Sequence, residues 1–262
     1  MDAQAQTEPQ VLTEPGSDGV LRITLSRPER RNAITVSMYA ALADAIEEAA
    51  NNPTIRLITL AGQGEDFTAG NDLGDFLQAM PQPGSEEDIP VWRLLRALAR
   101  NQVPIVAAVH GNAVGIGTTM LFHCDFVLAE QGCRFVMPFV DLGLVPEAAS
   151  SLILPRLAGR RRAARYLLLG EPFGAEEALD MGLASHVVHP GKLDQALAAL
   201  VTALLAKPPE ALRQTQALLR REATGEIIER IELENGHFAE RLQSDEVKRA
   251  IAAFFAARAK AG

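Results

Sequence analysis

At 262 residues the chain is longer than a typical single domain and suits one α/β domain with a helical extension; 48% hydrophobic residues are enough for a large core. A formal net charge of −8 excludes a broadly basic nucleic-acid face, while leaving room for a local basic patch that meets a small anion. Cys124 and Cys133 have neither metal-ligand spacing nor the density of a disulfide scaffold, and no apolar run reaches transmembrane length.

Residues 1 to about 19 are polar, with Pro15, Gly16 and Gly19, and predict a frayed tail or an edge hairpin. MDAQAQTEPQ has no basic start or apolar core of a secretory signal, and AKAG is no peroxisomal address, so the expectation is a soluble cytoplasmic protein. Val20 to Leu25 predicts a strand that ends at Arg27-Pro28, followed by the basic loop RPERRNAIT. Thr35 can N-cap a helix whose apolar positions Met38, Leu42, Ala45, Ile46 and Ala49 recur at helical spacing up to Asn51-Asn52-Pro53. Arg56 to Leu60 is a second strand, then come the loop GQGEDFTAGND and a short helix over Leu73–Met80. The composition of 81–90 predicts a mobile connection, and Val91 to Arg100 an amphipathic helix.

The stretch from Pro104 to Pro155 organises the chain. An apolar strand, Pro104 to Val109, feeds a turn with Gly111, Gly115 and Gly117, then an apolar helix from about Thr118 to His123. Beyond it, helices are expected at Arg160–Leu169 and Ala175–Met181, and a strand at Ser185–Val188. The pattern is then helical over 192–206, 209–223, 226–242 and 245–259. There is no repeat period.

Three features carry chemistry. A glycine turn feeding a helix start presents backbone N–H groups to an anion; the spacing Gly111-x3-Gly115-x-Gly117 is wrong for a dinucleotide fingerprint, and a packing turn remains a reading. Phe67 to Leu73 lies between strand and helix, and its pattern alone fits an ordinary turn as well as a ligand-facing N–H at Ala69. Glu147, alone among Leu144, Val145, Ala148 and Ala149, has the surroundings of a base with a raised pKa; at Pro146-Glu147 it also fits a helix-start acid. The five histidines form no metal spacing. Val247, Ile251, Phe254 and Phe255 make a stripe of core or subunit-interface character.

The order RPERRNAIT, FTAGNDL, PIVAAVHGNAVGIGTTM, CDFVLAE, FVMPFVDLGLVPEAASS, EALDMGLASHVV resembles the crotonase superfamily (enoyl-CoA hydratase/isomerase) over roughly residues 20 to 258. The resemblance implies an α/β crotonase-like spiral of ββα units. It divides the chain into a flexible tail over 1–19, a spiral core over 20–200 and a C-terminal helical trimerisation region over 201–262. It implies a homotrimer or dimer of trimers, with no nucleic acid and no membrane. The substrate would be an acyl-CoA thioester, its coenzyme A a part of the substrate, with no further cofactor and no metal. By motif position the thioester oxygen falls to the N–H groups of Ala69 and Ile116. Substrate contacts fall to Arg27, Arg30, Ala33, Phe67, Gly70, Asp72, Gly115, Thr119 and Phe139, with the loop Arg27, Arg30, Arg31 toward the CoA phosphates.

Two departures sharpen the reading. The positions of the two hydratase glutamates hold Thr119 and Phe139, neither able to move a proton usefully. FVDLGLVPEAASS instead resembles peroxisomal-type Δ3,Δ2-enoyl-CoA isomerases, whose single catalytic glutamate corresponds to Glu147. The expectation is such an isomerase; the alternatives are a hydratase of low activity and a non-catalytic acyl-CoA binder.

Overall fold

The computed structural model describes residues 9–75, 89–221 and 223–261. Its main sheet has six strands in the order β1-β2-β3-β4-β6-β9. They are β1 (Val11–Pro15), β2 (Val20–Leu25), β3 (Leu57–Gly62), β4 (Ile105–Val109), β6 (Phe126–Glu130) and β9 (His186–Val188). β1 runs antiparallel to β2 as an edge hairpin, with Val11 opposite Leu25, and every other pair is parallel. The tail expected over 1–19 is therefore a paired strand from Val11; residues 1–8 lie outside the described residues.

A second sheet pairs β5 (Asn112–Val114) in parallel with β7 (Arg134–Val136), and β7 antiparallel with the two-residue β8 (Phe173–Gly174). Thr68 extends this row by a bridge to Ala113, and Asn71 bridges Ile34. Four of the six main-sheet strands are thus followed by a short segment in a second row: β2 by Ile34, β3 by 68–71, β4 by β5, β6 by β7. This stacking is the expected ββα spiral, and it brings the ends of the second-row segments to one place. The sequence pattern did not identify β5, β6 or β7 as strands: two have three residues, and β6 is buried over its middle without polar alternation.

β4 is buried along its whole length because both faces are covered. Ile105, Ala107 and Val109 join a core with α1 (Val36–Asn51) and α2 (Pro90–Arg100), while Val106 and Ala108 face α7 (Leu193–Leu205) through Leu193, Val201 and Leu204. The boundary expected at residue 200 falls inside α7, which belongs to the sheet's second face. α1 starts as predicted: Thr35 Oγ1 accepts the Met38 N–H at 3.3 Å. The helix expected over Thr118–His123 is α3 (Ile116–Thr119) continued by a 3-10 turn, Met120–His123.

The other helices are α4 (Ser150–Ala158), α5 (Arg160–Leu168), α6 (Ala175–Asp180), α8 (Pro209–Arg220), α9 (Ala223–Leu242) and α10 (Asp245–Ala261). Of the helix expected over Leu73–Met80, residues 73–75 are described and helical; the rest, with the connection expected over 81–90 as far as 88, lies outside the described residues. In α10, Val247 and Ile251 are buried against the chain's own core, leaving Phe254 and Phe255 partly exposed.

Candidate active site

Asn32 holds the basic loop against the FTAGND loop. It is fully buried at φ 53°, a left-handed angle that asparagine tolerates, and its Nδ2 donates to the carbonyls of Gln63 and Asp66, each at 2.8 Å. Its Oδ1 accepts the Arg27 N–H at 2.8 Å. The FTAGND loop in turn touches β5 so closely that Gly70 admits no side chain: at φ 84° a Cβ there would lie 2.6 Å from the Val114 carbonyl oxygen. Gly115 is different. A Cβ would meet nothing within 4 Å, and the requirement is its backbone, φ 56° and ψ −117°.

These turns decide which N–H groups are available. The Ala69 N–H donates to the Arg31 carbonyl at 2.8 Å, so Ala69 is not the free donor that motif position implied. Ile34 N–H donates to the Gly70 carbonyl at 2.8 Å and Asp72 N–H to the Ile34 carbonyl at 2.9 Å. In an extended segment successive N–H groups alternate sides, so the intervening Asn71 N–H points away from Ile34. It has no acceptor among the described residues. Ile116 opens α3, where first-turn N–H groups lack intrahelical partners, and it too has no acceptor among them. The pair of N–H groups left open beside this turn is therefore Asn71 with Ile116, not Ala69 with Ile116. The signal for Asn71 was the left-handed glycine before it, which redirects the following N–H.

Both donors line a cavity of about 330 Å³. Of the sequence-predicted contacts, Arg30, Ala33, Ala69, Gly70, Asp72, Gly115, Ile116 and Phe139 line it, and Arg31 joins them. Phe67 does not: it is fully buried core. Arg27 does not: its guanidinium is held by Asp72 Oδ2 at 2.7 Å and the Ala33 carbonyl at 2.9 Å, leaving Arg30 and Arg31 as the loop's arginines on the cavity. Burial raises the Asp72 carboxyl, but the Arg27 bond and charge together with the backbone N–H groups of Asp75 and Gly74 outweigh it, so the group titrates below the usual range and serves as an anchor. Thr119 is fully buried off the cavity, its Oγ1 without a partner among the described residues.

Glu147 is buried at 4% exposure, and its Oε1 has no hydrogen-bond partner among the described residues. Burial, reinforced by the charge of Glu234, pushes its carboxyl up to about 8. It is not a helix-start acid. α4 begins only at Ser150, and its first N–H groups are taken by Glu234 of α9: Ala149 N–H to Oε2 at 2.6 Å and Ser151 N–H to Oε1 at 3.0 Å. The backbone of the turn is otherwise tied down. Ser150 N–H donates to the Glu147 carbonyl at 3.0 Å and His123 Nε2–H to the Ala148 carbonyl at 2.9 Å. Burial pushes His123 down to about 4, so it is neutral there. The backbone is fixed and the carboxyl is left unpaired.

Glu147 does not itself line the cavity; Leu144, three residues earlier, and Phe238, one helical turn beyond Glu234, do. Tyr39 of α1 connects the Glu147 turn with the Asn71 loop. Fully buried, it donates its hydroxyl to Asn71 Oδ1, and burial with the nearby Glu147 charge pushes its phenol well above the ordinary value. Neither Tyr39 nor Glu234 stood out in the sequence. Among the described residues no group of three or more His, Cys, Asp or Glu is placed to hold a metal, and no helix is long and apolar enough to cross a membrane.

A family model described as enoyl-CoA hydratase/isomerase matches residues 16–261. The chain is 33% identical over 244 residues to the 1,2-epoxyphenylacetyl-CoA isomerase of Escherichia coli, covering 92% of this chain and 93% of that protein. It is 31% identical over 223 residues to enoyl-CoA delta isomerase 2 of Rattus norvegicus, covering 84% of this chain and 56% of that protein. An enoyl-CoA hydratase/isomerase structure from Pseudoalteromonas atlantica matches at a TM-score of 0.88 and 38% identity, over 94% of this chain and 97% of that one. Pseudomonas aeruginosa OdaA matches at 0.88 and 38%, over 95% and 99%.

Proposed function

The chain belongs to the enoyl-CoA hydratase/isomerase family, and on that premise we propose that it is a Δ3,Δ2-enoyl-CoA isomerase working with one base. The observation that carries the reading is Glu147: a buried, unpartnered carboxyl with a raised pKa. The positions that the resemblance assigns to the hydratase glutamates hold the buried Thr119 and the apolar Phe139. Water addition needs groups that orient water and protonate carbon; an isomerase needs only a proton acceptor that gives the same proton back.

The thioester carbonyl of a 3-enoyl-CoA accepts the N–H groups of Asn71 and Ile116. The acyl chain passes Leu144 and Phe238 to reach Glu147. The carboxylate takes a C2 proton, the electrons move into a dienolate whose oxygen is held by the clamp, and the carboxylic acid returns the proton to C4. A donor of this kind is worth roughly 3–4 kcal/mol to the transition state. Arg30 and Arg31 meet the CoA phosphates. The assembly is a homotrimer or dimer of trimers, which light scattering at micromolar concentration checks.

The Escherichia coli relative, similar over nearly the full length of both chains, supports a second reading in which the same base isomerises an aryl epoxide thioester. Incubation with 3-hexenoyl-CoA, crotonyl-CoA and 1,2-epoxyphenylacetyl-CoA separates these. Conversion of 3-hexenoyl-CoA to the 2-enoyl product, with little hydration of crotonyl-CoA, is expected. Rapid hydration of crotonyl-CoA would overturn the single-base reading, and turnover of the epoxide alone would move the assignment to the second.

A further inference from the structure

Glu234 breaks the pattern of its own helix. Ile227, Ile231, Glu234 and Phe238 form a stripe at i, i+4, i+7 and i+11 along α9, with Ile231 and Phe238 buried. A carboxylate at 5% exposure inside an apolar stripe is costly unless its oxygens are satisfied. They are satisfied by one turn of chain. Oε2 accepts Ala149 N–H at 2.6 Å; Oε1 accepts Ser151 N–H at 3.0 Å and the Ser151 hydroxyl at 2.5 Å. Arg230, one helical turn back, donates to that same hydroxyl oxygen at 3.1 Å.

That turn is strained. Ala148 and Ala149 stand at φ 59° and 56°, successive left-handed residues that both carry a Cβ. Such a conformation persists only where its surroundings over-determine it. The titratable and charged groups that meet the turn are Tyr39 from α1, neutral His123 from the 3-10 turn after α3, and Glu234 with Arg230 from α9. Of these, Glu234 bonds the N–H of Ala149 itself.

We propose that Glu234 is the positioning residue of the Glu147 turn: its carboxylate holds Ala148 and Ala149 left-handed, and so keeps the Glu147 carboxyl turned inward without a partner. Glu234 also sets a negative charge behind Glu147. The catalytic consequence rests on Glu147 being the base; the geometric role does not.

The test uses the full chain in three variants. Glu234→Ala is expected to lower kcat for 3-hexenoyl-CoA about 100-fold with KM little changed, the scale of a misplaced catalytic group. Adding Ala149→Gly, which takes a positive φ without strain, should recover much of that loss. Glu234→Gln keeps the volume, removes the charge and leaves one acceptor oxygen for the two backbone N–H groups. In it the Glu147 titration, followed by ¹³C NMR of carboxyl-labelled glutamate and assigned by the resonance lost in Glu147→Gln, should move down from its parent midpoint near 8. A Glu147 midpoint unchanged in Glu234→Gln, or a Glu234→Ala defect that Ala149→Gly leaves in place, overturns the proposal. A parent protein that fails to isomerise 3-hexenoyl-CoA while the titration still shifts would sink the functional reading and leave the positioning role standing.

Discussion

The clamp and the base turn both reach Tyr39, and both need positive φ, which they obtain by different means. In the clamp, glycines take the positive φ values, 84° at Gly70 and 56° at Gly115, at little steric cost. Neighbouring strands then stitch the loop in place: Thr68 N–H to the Asn112 carbonyl at 3.0 Å and Val114 N–H to the Thr68 carbonyl at 3.0 Å. In the base turn, Ala148 and Ala149 take positive φ with a Cβ, at a cost offset by the Glu234 side chain, 85 residues beyond Ala149 and 83 beyond Ser151. The clamp takes its positive φ from glycines and is then tied by backbone bonds to Arg31, Ile34 and Asn112. The base turn exists only once α9 has docked.

The largest effect should come from the base itself. Glu147→Gln preserves size and removes the proton acceptor, and turnover of 3-hexenoyl-CoA should fall at least 100-fold. In the parent, kcat/KM should rise with pH through a midpoint near 8, as the carboxyl ionises. The same variant tests linkage. Glu147 titrates near 8 in the folded chain, against an ordinary glutamate value of 4.5 when unfolded. Across that window the folded state holds a proton the unfolded chain has lost, and stability falls as pH rises. Glu147→Gln removes that loss: it should match the parent near pH 4.5 and exceed it above pH 8, with a ceiling of about 5 kcal/mol. Thermal melts at about pH 5 and about pH 9 check this; a parent favoured at the higher pH would contradict the burial argument.

Next in size is Gly70→Ala. The added Cβ would overlap the Val114 carbonyl oxygen, and φ 84° strains any residue with a side chain. We expect a loss of ~2 kcal/mol in denaturant unfolding and roughly 10- to 100-fold in kcat as the Asn71 N–H is displaced. Gly115→Ala meets no overlap, so its cost should be conformational strain alone and smaller. Equal effects at the two glycines would break the distinction between close approach and backbone conformation.

The difference between the two regions also sets what the sequence made legible. The ordered motifs carried the family and the spiral, and Ile116, Phe139 and Gly70 fell on the cavity because strand ends and glycines position them locally. Ala69 was one register step off the open N–H: its own is taken by the Arg31 carbonyl, and the one after the left-handed Gly70, at Asn71, is left without an acceptor among the described residues. Arg27 looked like an anion ligand because sequence does not reveal that Asp72, 45 residues on, consumes it. Glu234 left a trace, a carboxylate in the apolar stripe of Ile227, Ile231 and Phe238. Its partners are backbone N–H groups, and those leave no mark in a sequence.

The smallest expected effect lies between the two regions. Tyr39→Phe removes one hydroxyl from a fully buried ring and keeps the packing. Asn71 Oδ1, on a half-buried side chain lining the cavity, then loses its donor, at a cost of ~1 kcal/mol of stability. Two outcomes are separable in kinetics. If the hydroxyl only supports the fold, melting temperature falls and kcat stays. If it holds the loop that presents the Asn71 N–H, kcat falls several-fold with KM nearly constant, because the lost interaction is one made more strongly in the transition state. The first is expected, since the backbone on either side of Asn71 is pinned to Ile34 without help from its side chain. A pH profile sharpens the result. Tyr39 feels the Glu147 charge, but removing a neutral phenol removes no charge, so the midpoint near 8 should stay close to the parent value. A large shift of that midpoint in Tyr39→Phe would mean that the phenol hydrogen-bonds the carboxylate during turnover and belongs with the base, not the clamp.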